Sequence, residues 1–252
     1  NLVSNGDFSQ EGSELVTNGN FATDTDWTKQ TGIEITNGQA VATNSSGFLF
    51  QSASLIVGKI YKITFTVSNY VSGSVRSGLG SNLSDSGVNR TTNGTYTDYV
   101  TFTSSLTYVG VKFTNNATMS ITNISVKEVG QNWTLENANA SIGSSELVCD
   151  NVIANTNIAT QNSIVPIQKK VEIQYTAVVN SGQFRVLLGS SGTSTPISTS
   201  GTYTFIETSG TGGILTLQAR YGGFDGSITN IIIKEITDDT NLPRINYEGF
   251  SY

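Results

Sequence analysis

The run ITNISVKEV at residues 121 to 129 returns as ITNIIIKEI at 228 to 236, 107 residues further on. Two near-copies of a strand-like run at that distance mark a duplicated unit, and three more landmarks repeat in the same order. Working back towards the N-terminus, TNGTYT at 92 to 97 recurs as TSGTYT at 199 to 204, and SGSVRSGLGS at 72 to 81 as SGQFRVLLGS at 181 to 190. Asp26-Trp27-Thr28 recurs as Asn132-Trp133-Thr134. The offsets stay between 106 and 109 residues, so one domain has been copied with small changes in its loops.

Within each copy the apolar residues follow the period of a β-strand. Tyr61, Ile63, Phe65 and Val67 fall on one face and Lys62, Thr64 and Thr66 on the other, the pattern of a strand with a buried and a wet side. Val171, Ile173 and Tyr175 repeat it, and Ile121 to Val126 and Ile228 to Ile233 are read as alternating in the same way. Gly58-Lys59, Asn93-Gly94, Ser200-Gly201 and Asn37-Gly38 punctuate the strands as turns. About eight short strands in roughly 105 residues, with no helical period, predict an all-β chain of two tandem antiparallel β-sandwich (jelly-roll) domains. The expected boundaries are an N-terminal opening segment at 1–13, a first sandwich at 14–130, a second at 131–237 and a C-terminal linker or tail at 238–252.

The opening segment repeats at a different spacing. LVSNGDF at 2 to 8 recurs as LVTNGNF at 15 to 21, so both copies precede the first sandwich and the second repeat, opening at Gln131-Asn132-Trp133, has none of its own. Residues 14 to 21 are expected to be the first strand of the first sandwich. Residues 1 to 8 then have four fates open to them: pairing with the second sandwich, pairing with a neighbouring chain by strand addition, a disordered terminus, or the remnant of an upstream repeat. Because the chain starts at Asn1 and carries no basic-then-apolar leader, the sequence reads as a processed product or a piece of something longer.

The pattern LVTNGNF, DTDWT, GKIYKITFTV and a closing ITNISVKEV resembles the jelly-roll carbohydrate-binding modules of the galactose-binding-like superfamily, in particular the tandem modules of tailed-bacteriophage structural and fibre proteins. DDTNLPRINYEGF at 238 to 250 is similar to the segment that trails such modules. The resemblance implies a non-catalytic virion component (fibre, tail or capsid decoration) at a virion surface or outside the cell, with other virion or filament subunits as partners, a homo-oligomeric state and weak adhesion to surface glycans. The alternative it implies is the carbohydrate-binding region of a secreted polysaccharide-active enzyme. Relatives place a calcium-holding acid in the closing motif, where Asn123 and Asn230 stand here; an uncharged carbonyl is a weaker ligand for a hard cation, so neither metal nor cofactor is expected.

Composition excludes several classes. The chain has no histidine, which removes Ser-His-Asp and Cys-His catalysis and histidine metal sites. The acids Asp24, Asp26, Asp85, Asp98, Glu172, Glu207 and Asp225 are read as solvated side chains rather than a glycosidase pair, leaving self-standing glycoside hydrolysis as a third, weaker alternative. A net charge of −6 with scattered basic residues forms no stripe for nucleic acid, and no run approaches the roughly 20 apolar residues of a membrane helix. Cys149, the single cysteine, is read as a buried strand thiol.

Sugar recognition needs aromatic faces for stacking beside a few amides or guanidinium groups. Trp27 and Trp133 occupy one repeated framework position and are read as core anchors, as are Tyr96 and Tyr203. The candidate ligand-binding residues are those expected to point away from the core: Tyr70, Arg76 and Tyr99 in the first sandwich, and Arg185, Tyr221 and Phe224 in the second.

Overall fold

The structure is a computed structural model that describes residues 1–190 and 192–237. The expected tail at 238–252 lies outside the described residues. The first body contains β1 (Glu11–Glu14), β2 (Thr28–Lys29), β3 (Ile33–Thr36), β4 (Gln39–Ser45), β5 (Phe48–Ser52), β6 (Ile60–Leu79), a short 3-10 turn (Ser81–Leu83), β7 (Asp85–Ser86), β8 (Gly94–Thr101) and β9 (Tyr108–Val129). The second repeats the plan with β10 (Thr134–Leu135), β11 (Ala140–Gly143), β12 (Glu146–Val152), β13 (Asn157–Gln161), β14 (Lys170–Leu188), β15 (Gly192–Thr193), β16 (Gly201–Thr208) and β17 (Leu215–Glu235). All pairings between these strands are antiparallel, and the chain is all-β with two sandwiches in tandem.

Two long strands build both layers of each sandwich. A straight strand of 20 residues such as β6 would reach about 65 Å, too far for one small domain. It breaks where its ladder with β9 shifts register between Ser68 and Ser74, opposite a break in β9 at Asn115 and Asn116, both with positive φ. Residues 60–68 of β6 then lie in a back sheet with β8, the end of β9, β4 and β3. Residues 74–79 lie in a front sheet with β7, the start of β9, β5 and β2. In the second body β14 and β17 fold over in the same manner between Val179 and Phe184. The inner faces meet in two apolar cores: Tyr61, Ile63, Phe65, Val75, Leu79, Val111 and Phe113 in one, Val171, Ile173, Tyr175, Phe184, Val186, Leu217 and Ile233 in the other. Cys149 belongs to the second core, and burial pushes its thiol up to about 12.

The closing strands depart from simple alternation. Ile121, Ile124 and Val126 face inward, as do Ile228, Ile231 and Ile233, because Asn123 and Asn230 adopt left-handed backbone with φ of 55° and 56° and insert a bulge. Asn accepts that conformation more easily than most side-chain-bearing residues. Asn123 and Asn230 are thus bulge residues.

The two opening segments occupy matching grooves in different bodies. In the first body Leu15 N donates to Val126 O and Ile124 N to Gly19 O, while Phe21 packs on Trp27 at 5.3 Å. Trp27 Nε1 donates to Asn18 O (3.0 Å), and the Gln51 amide spans Thr17, accepting from its N and donating to its O. Residues 1 to 8 make the same contacts on the second body. Leu2 N donates to Ile233 O, Ile231 N to Gly6 O, and Trp133 Nε1 to Asn5 O (3.0 Å). Gln161 spans Ser4, and Phe8 packs on Trp133 at 5.1 Å. Neither opening segment is the expected first strand: residues 1 to 8 and 15 to 21 are built of bends and turns, and the one that completes the second sandwich is supplied from before the first. The first body is thus inserted between that segment and the rest of the second, and β1 runs along the end of β9 on the way across. Ile60 and Val129 of the first body join the second body's core, continuing the joint.

Candidate functional site

The outward side of each front sheet collects the groups able to hold a ligand. Alternation on β5 turns Leu49 and Gln51 inward and presents Phe48 and Phe50 outward, half-buried. Register then fixes the rows: Phe48 lies beside Lys112, which lies beside Arg76, and Phe50 lies beside Gly110, which lies beside Gly78. Phe50 meets Tyr108 edge-on at 5.0 Å, and Lys112 Nζ sits 4.9 Å above the Phe48 ring, a cation–π contact. Gly78 has no room for a side chain, since a Cβ there would come within 2.6 Å of Leu83 Cβ. Leu83 is buried with φ of 50°, and with Asn82 (φ 51°) it holds the rim loop over the sheet in a conformation that β-carbon-bearing residues adopt at a cost. The result is a shallow cavity of about 120 Å³ walled by Phe48, Phe50, Tyr108, Leu83 and Gln30. It is smaller than an enclosed pocket for a drug-sized ligand, so contact would be with the face of a ligand.

The second body puts different groups on the same frame. Arg185 donates through Nε (2.9 Å) and Nη2 (2.7 Å) to Gln218 Oε1, and Gln218 Nε2 donates to Asn157 Oδ1 (3.1 Å). Arg220 Nη1 donates to Asn155 Oδ1, and its guanidinium stacks 4.7 Å from the Tyr221 ring. Partial burial lowers the Arg185 pKa, and the neighbouring Arg220 charge adds to the effect. Two cations, three amides and a Tyr221 ring that is 65% exposed share one surface. Among the described residues, Arg76, Lys112, Arg185 and Arg220 form no ion pair. Arg76 Nε is buried without a partner.

Of the residues expected to bind ligand, Arg76 lies on the first face, and Arg185 and Tyr221 lie on the second. The other three lie elsewhere. Phe224 is 1% exposed and packs against Phe184 at 5.4 Å, because residues 220–223 turn the strand over and restart its alternation with Phe224 inward; it is a core residue. Tyr70 sits at the fold-over of β6, half-buried against the first core, with Oη donating to Gly73 O at 3.0 Å. Tyr99 points out of the back sheet and packs against the second body's core beside Gly143, a junction residue. Phe48, Phe50, Tyr108 and Lys112 were missed. FLFQS at 48 to 52 alternates, which puts Phe48 and Phe50 on one side of the strand, but alternation alone does not say which side the core covers.

Asp98 is also a correction. It is not solvated: it is 6% exposed, on the inner side of β8, accepting from Ser77 Oγ (2.6 Å) and Arg90 Nη2 (2.5 Å). A single neutralised carboxylate under Gly87 is a structural pair rather than a glycosidase couple. Among the described residues no group of three His, Cys, Asp or Glu could hold a metal ion.

No family model matches the chain, and no curated protein matches it. Among solved structures it is similar to the N-terminal CBM22-1-CBM22-2 tandem domain of Xyn10C from Paenibacillus barcinonensis. The two are 9% identical, with 90% of this chain and 99% of that one covered and a TM-score of 0.37. So loose an overlap carries no ligand or residue role across.

Proposed function

We propose that the chain is a non-catalytic glycan-binding pair of β-sandwiches whose two front-sheet faces hold carbohydrate bearing carboxylate or sulfate groups. The observation that carries this reading is the pairing, on both faces, of accessible aromatic rings with cations that no acid among the described residues neutralises. Aromatic faces suit the C–H side of a sugar ring, amides and guanidinium groups suit its hydroxyls, and the spare positive charge favours acidic residues. The first face offers stacking with Phe48, Phe50 and Tyr108; the second offers hydrogen bonding with Arg185, Gln218 and Arg220.

Affinity electrophoresis in gels containing polygalacturonate, a sulfated glycan or neutral xylan tests it. Retardation by an acidic polymer is expected, weakened by salt and lost when Phe50→Ala and Lys112→Ala are combined with Arg220→Ala and Tyr221→Ala. Unchanged mobility in every gel would overturn the reading. Two settings fit such a pair. A surface position on a virion or filament, with this chain as a spacer and weak adhesin, is supported by the motif resemblance and by the tie between the two bodies through residues 1 to 8. The setting beside a polysaccharide-degrading domain is supported by the same glycan-facing groups. Detection of the chain in purified particles would favour the first, and a catalytic domain in the same gene the second.

A further inference from the structure

We propose that the groove between Trp133, Gln161 and the bulged end of β17 is a peptide-binding site for the pattern Leu-Val-Ser/Thr-Asn-Gly-x-Phe, which a second copy of this chain can fill with its own residues 1 to 8. The two opening segments share five of seven residues, and each meets the same set of partners. In the first body the segment runs on through Ala22–Asp26 to Trp27, so its docking could be ascribed to covalent connection. In the second body the same contacts form although 128 residues separate Asn5 from Trp133 Nε1. The groove therefore recognises the motif itself.

Each part of the motif has a physical reason. Gly6 lies against Ile231 O, where any Cβ would collide, and Gly19 lies against Ile124 O in the same way. Asn5 and Asn18 hold left-handed backbone, with φ of 50° and 52°, which turns their carbonyls to the tryptophan. Phe8 is 2% exposed and fills the space beside Trp133. Without the segment, Trp133 Nε1, both ends of the Gln161 amide, Ile231 N and Ile233 O lose their partners, an arrangement a buried groove strongly disfavours. The tether is short and accessible: Ser9, Gln10, Glu11 and Ser13 are exposed, and the segment is joined to its groove by non-covalent contacts alone. A folded domain completed by an element on a short hinge is the condition for exchange between copies.

The test uses the full chain with a specific protease site inserted after Gln10. After cleavage, a fluorescent peptide of residues 1 to 8 is added and the sample is warmed and cooled. Stoichiometric uptake that co-elutes with the protein is expected, with competition by LVTNGNF within about tenfold and by the Phe8→Ala peptide weaker by about a hundredfold or more. A Gly6→Val peptide should not compete. Failure of the cleaved protein to take up the peptide, or equal uptake of a scrambled sequence, would overturn the proposal. For the second copy, deleting Ser9 and Gln10 from the intact chain should stop the segment reaching its own groove and shift the protein from monomer to dimer, read by light scattering. A monomer whose groove is still closed to the labelled peptide would overturn exchange between copies.

Discussion

The two bodies share strand order, fold-over points and opening segment, yet the equivalent interior corner is ionic in one and aromatic in the other. In the first, Asp98 on β8 pairs with Arg90 and Ser77, and the Arg90 guanidinium lies 4.7 Å from the Tyr96 ring. At the matching places of the second stand Phe205, Ile197 and Val186, part of a cluster in which Tyr175 contacts Phe184 at 5.2 Å and Tyr203 at 5.7 Å. The pairing frame is unchanged: Val75 bridges Arg90 just as Phe184 bridges Ile197. A sandwich of this plan thus needs that corner filled, and the backbone accepts either a neutralised charge pair or apolar volume. The difference lies in what happens when one member is lost, because a lone buried charge is costly and a lone apolar gap is a cavity.

The largest expected effect breaks the bodies apart by their opening segments. Phe8→Ala should destabilise the second body and Phe21→Ala the first, each by about 3–5 kcal/mol. Denaturation followed by Trp133 or Trp27 fluorescence, with the other tryptophan replaced by Phe, would show it; a Phe8→Ala lesion reported by Trp27 alone would contradict the insertion topology. Next, Asp98→Ala should cost about 3 kcal/mol by stranding Arg90, discounted because Arg90 keeps 24% of its side chain exposed. Importing the other body's solution as Ser77→Val, Arg90→Ile and Asp98→Phe together should return stability to within about 1 kcal/mol of the parent, measured by urea titration. If the triple variant is as unstable as the single one, the two corners are not interchangeable.

A smaller effect runs the opposite way. Tyr175, the counterpart of Phe65, buries a hydroxyl without a hydrogen-bond partner; burial raises its pKa, and nearby Ser194 only partly counters this. Tyr175→Phe should therefore leave stability unchanged or raise it by up to about 1 kcal/mol, whereas a clear loss in thermal melting would reveal a partner for that hydroxyl. The smallest effect is at the joint. Hydrogen bonds from Lys62 and then Lys127 lower the Glu11 pKa, so its contribution is complete above the ordinary carboxylate range and is lost as pH falls through the lowered folded value. Glu11→Gln should lower stability slightly near neutral pH, where the carboxylate's contribution is complete, flatten the acid limb, and leave stability unaltered below the folded pKa.

Much of the frame was legible because it depends on local rules. Tyr61 to Val67 alternates as a strand must, the repeated Trp27 and Trp133 take one framework place, and both are buried. The ligand candidates fared less well. Phe224 and Tyr70 sit next to fold-over points, where a change of register reverses or redirects side chains and alternation counted from the previous strand no longer applies. Phe48 and Phe50 escaped notice because whether an alternating strand's aromatic side is core or surface depends on which of its faces the opposite sheet covers.

By itself the sequence determined that the chain is a duplicated all-β protein without histidine chemistry, since period, turn residues and repeat offsets are properties of the string. It also showed two opening segments before one sandwich. Only the tertiary structure decided that residues 1 to 8 belong to the second body. That assignment rests on contacts between groups more than 120 residues apart, such as Asn5 O with Trp133 Nε1 and Ser4 with Gln161, and no local preference encodes a partner at that distance. The same holds for Asp98, whose solvated or buried state was settled by where the chain returned Arg90 and Ser77 to meet it.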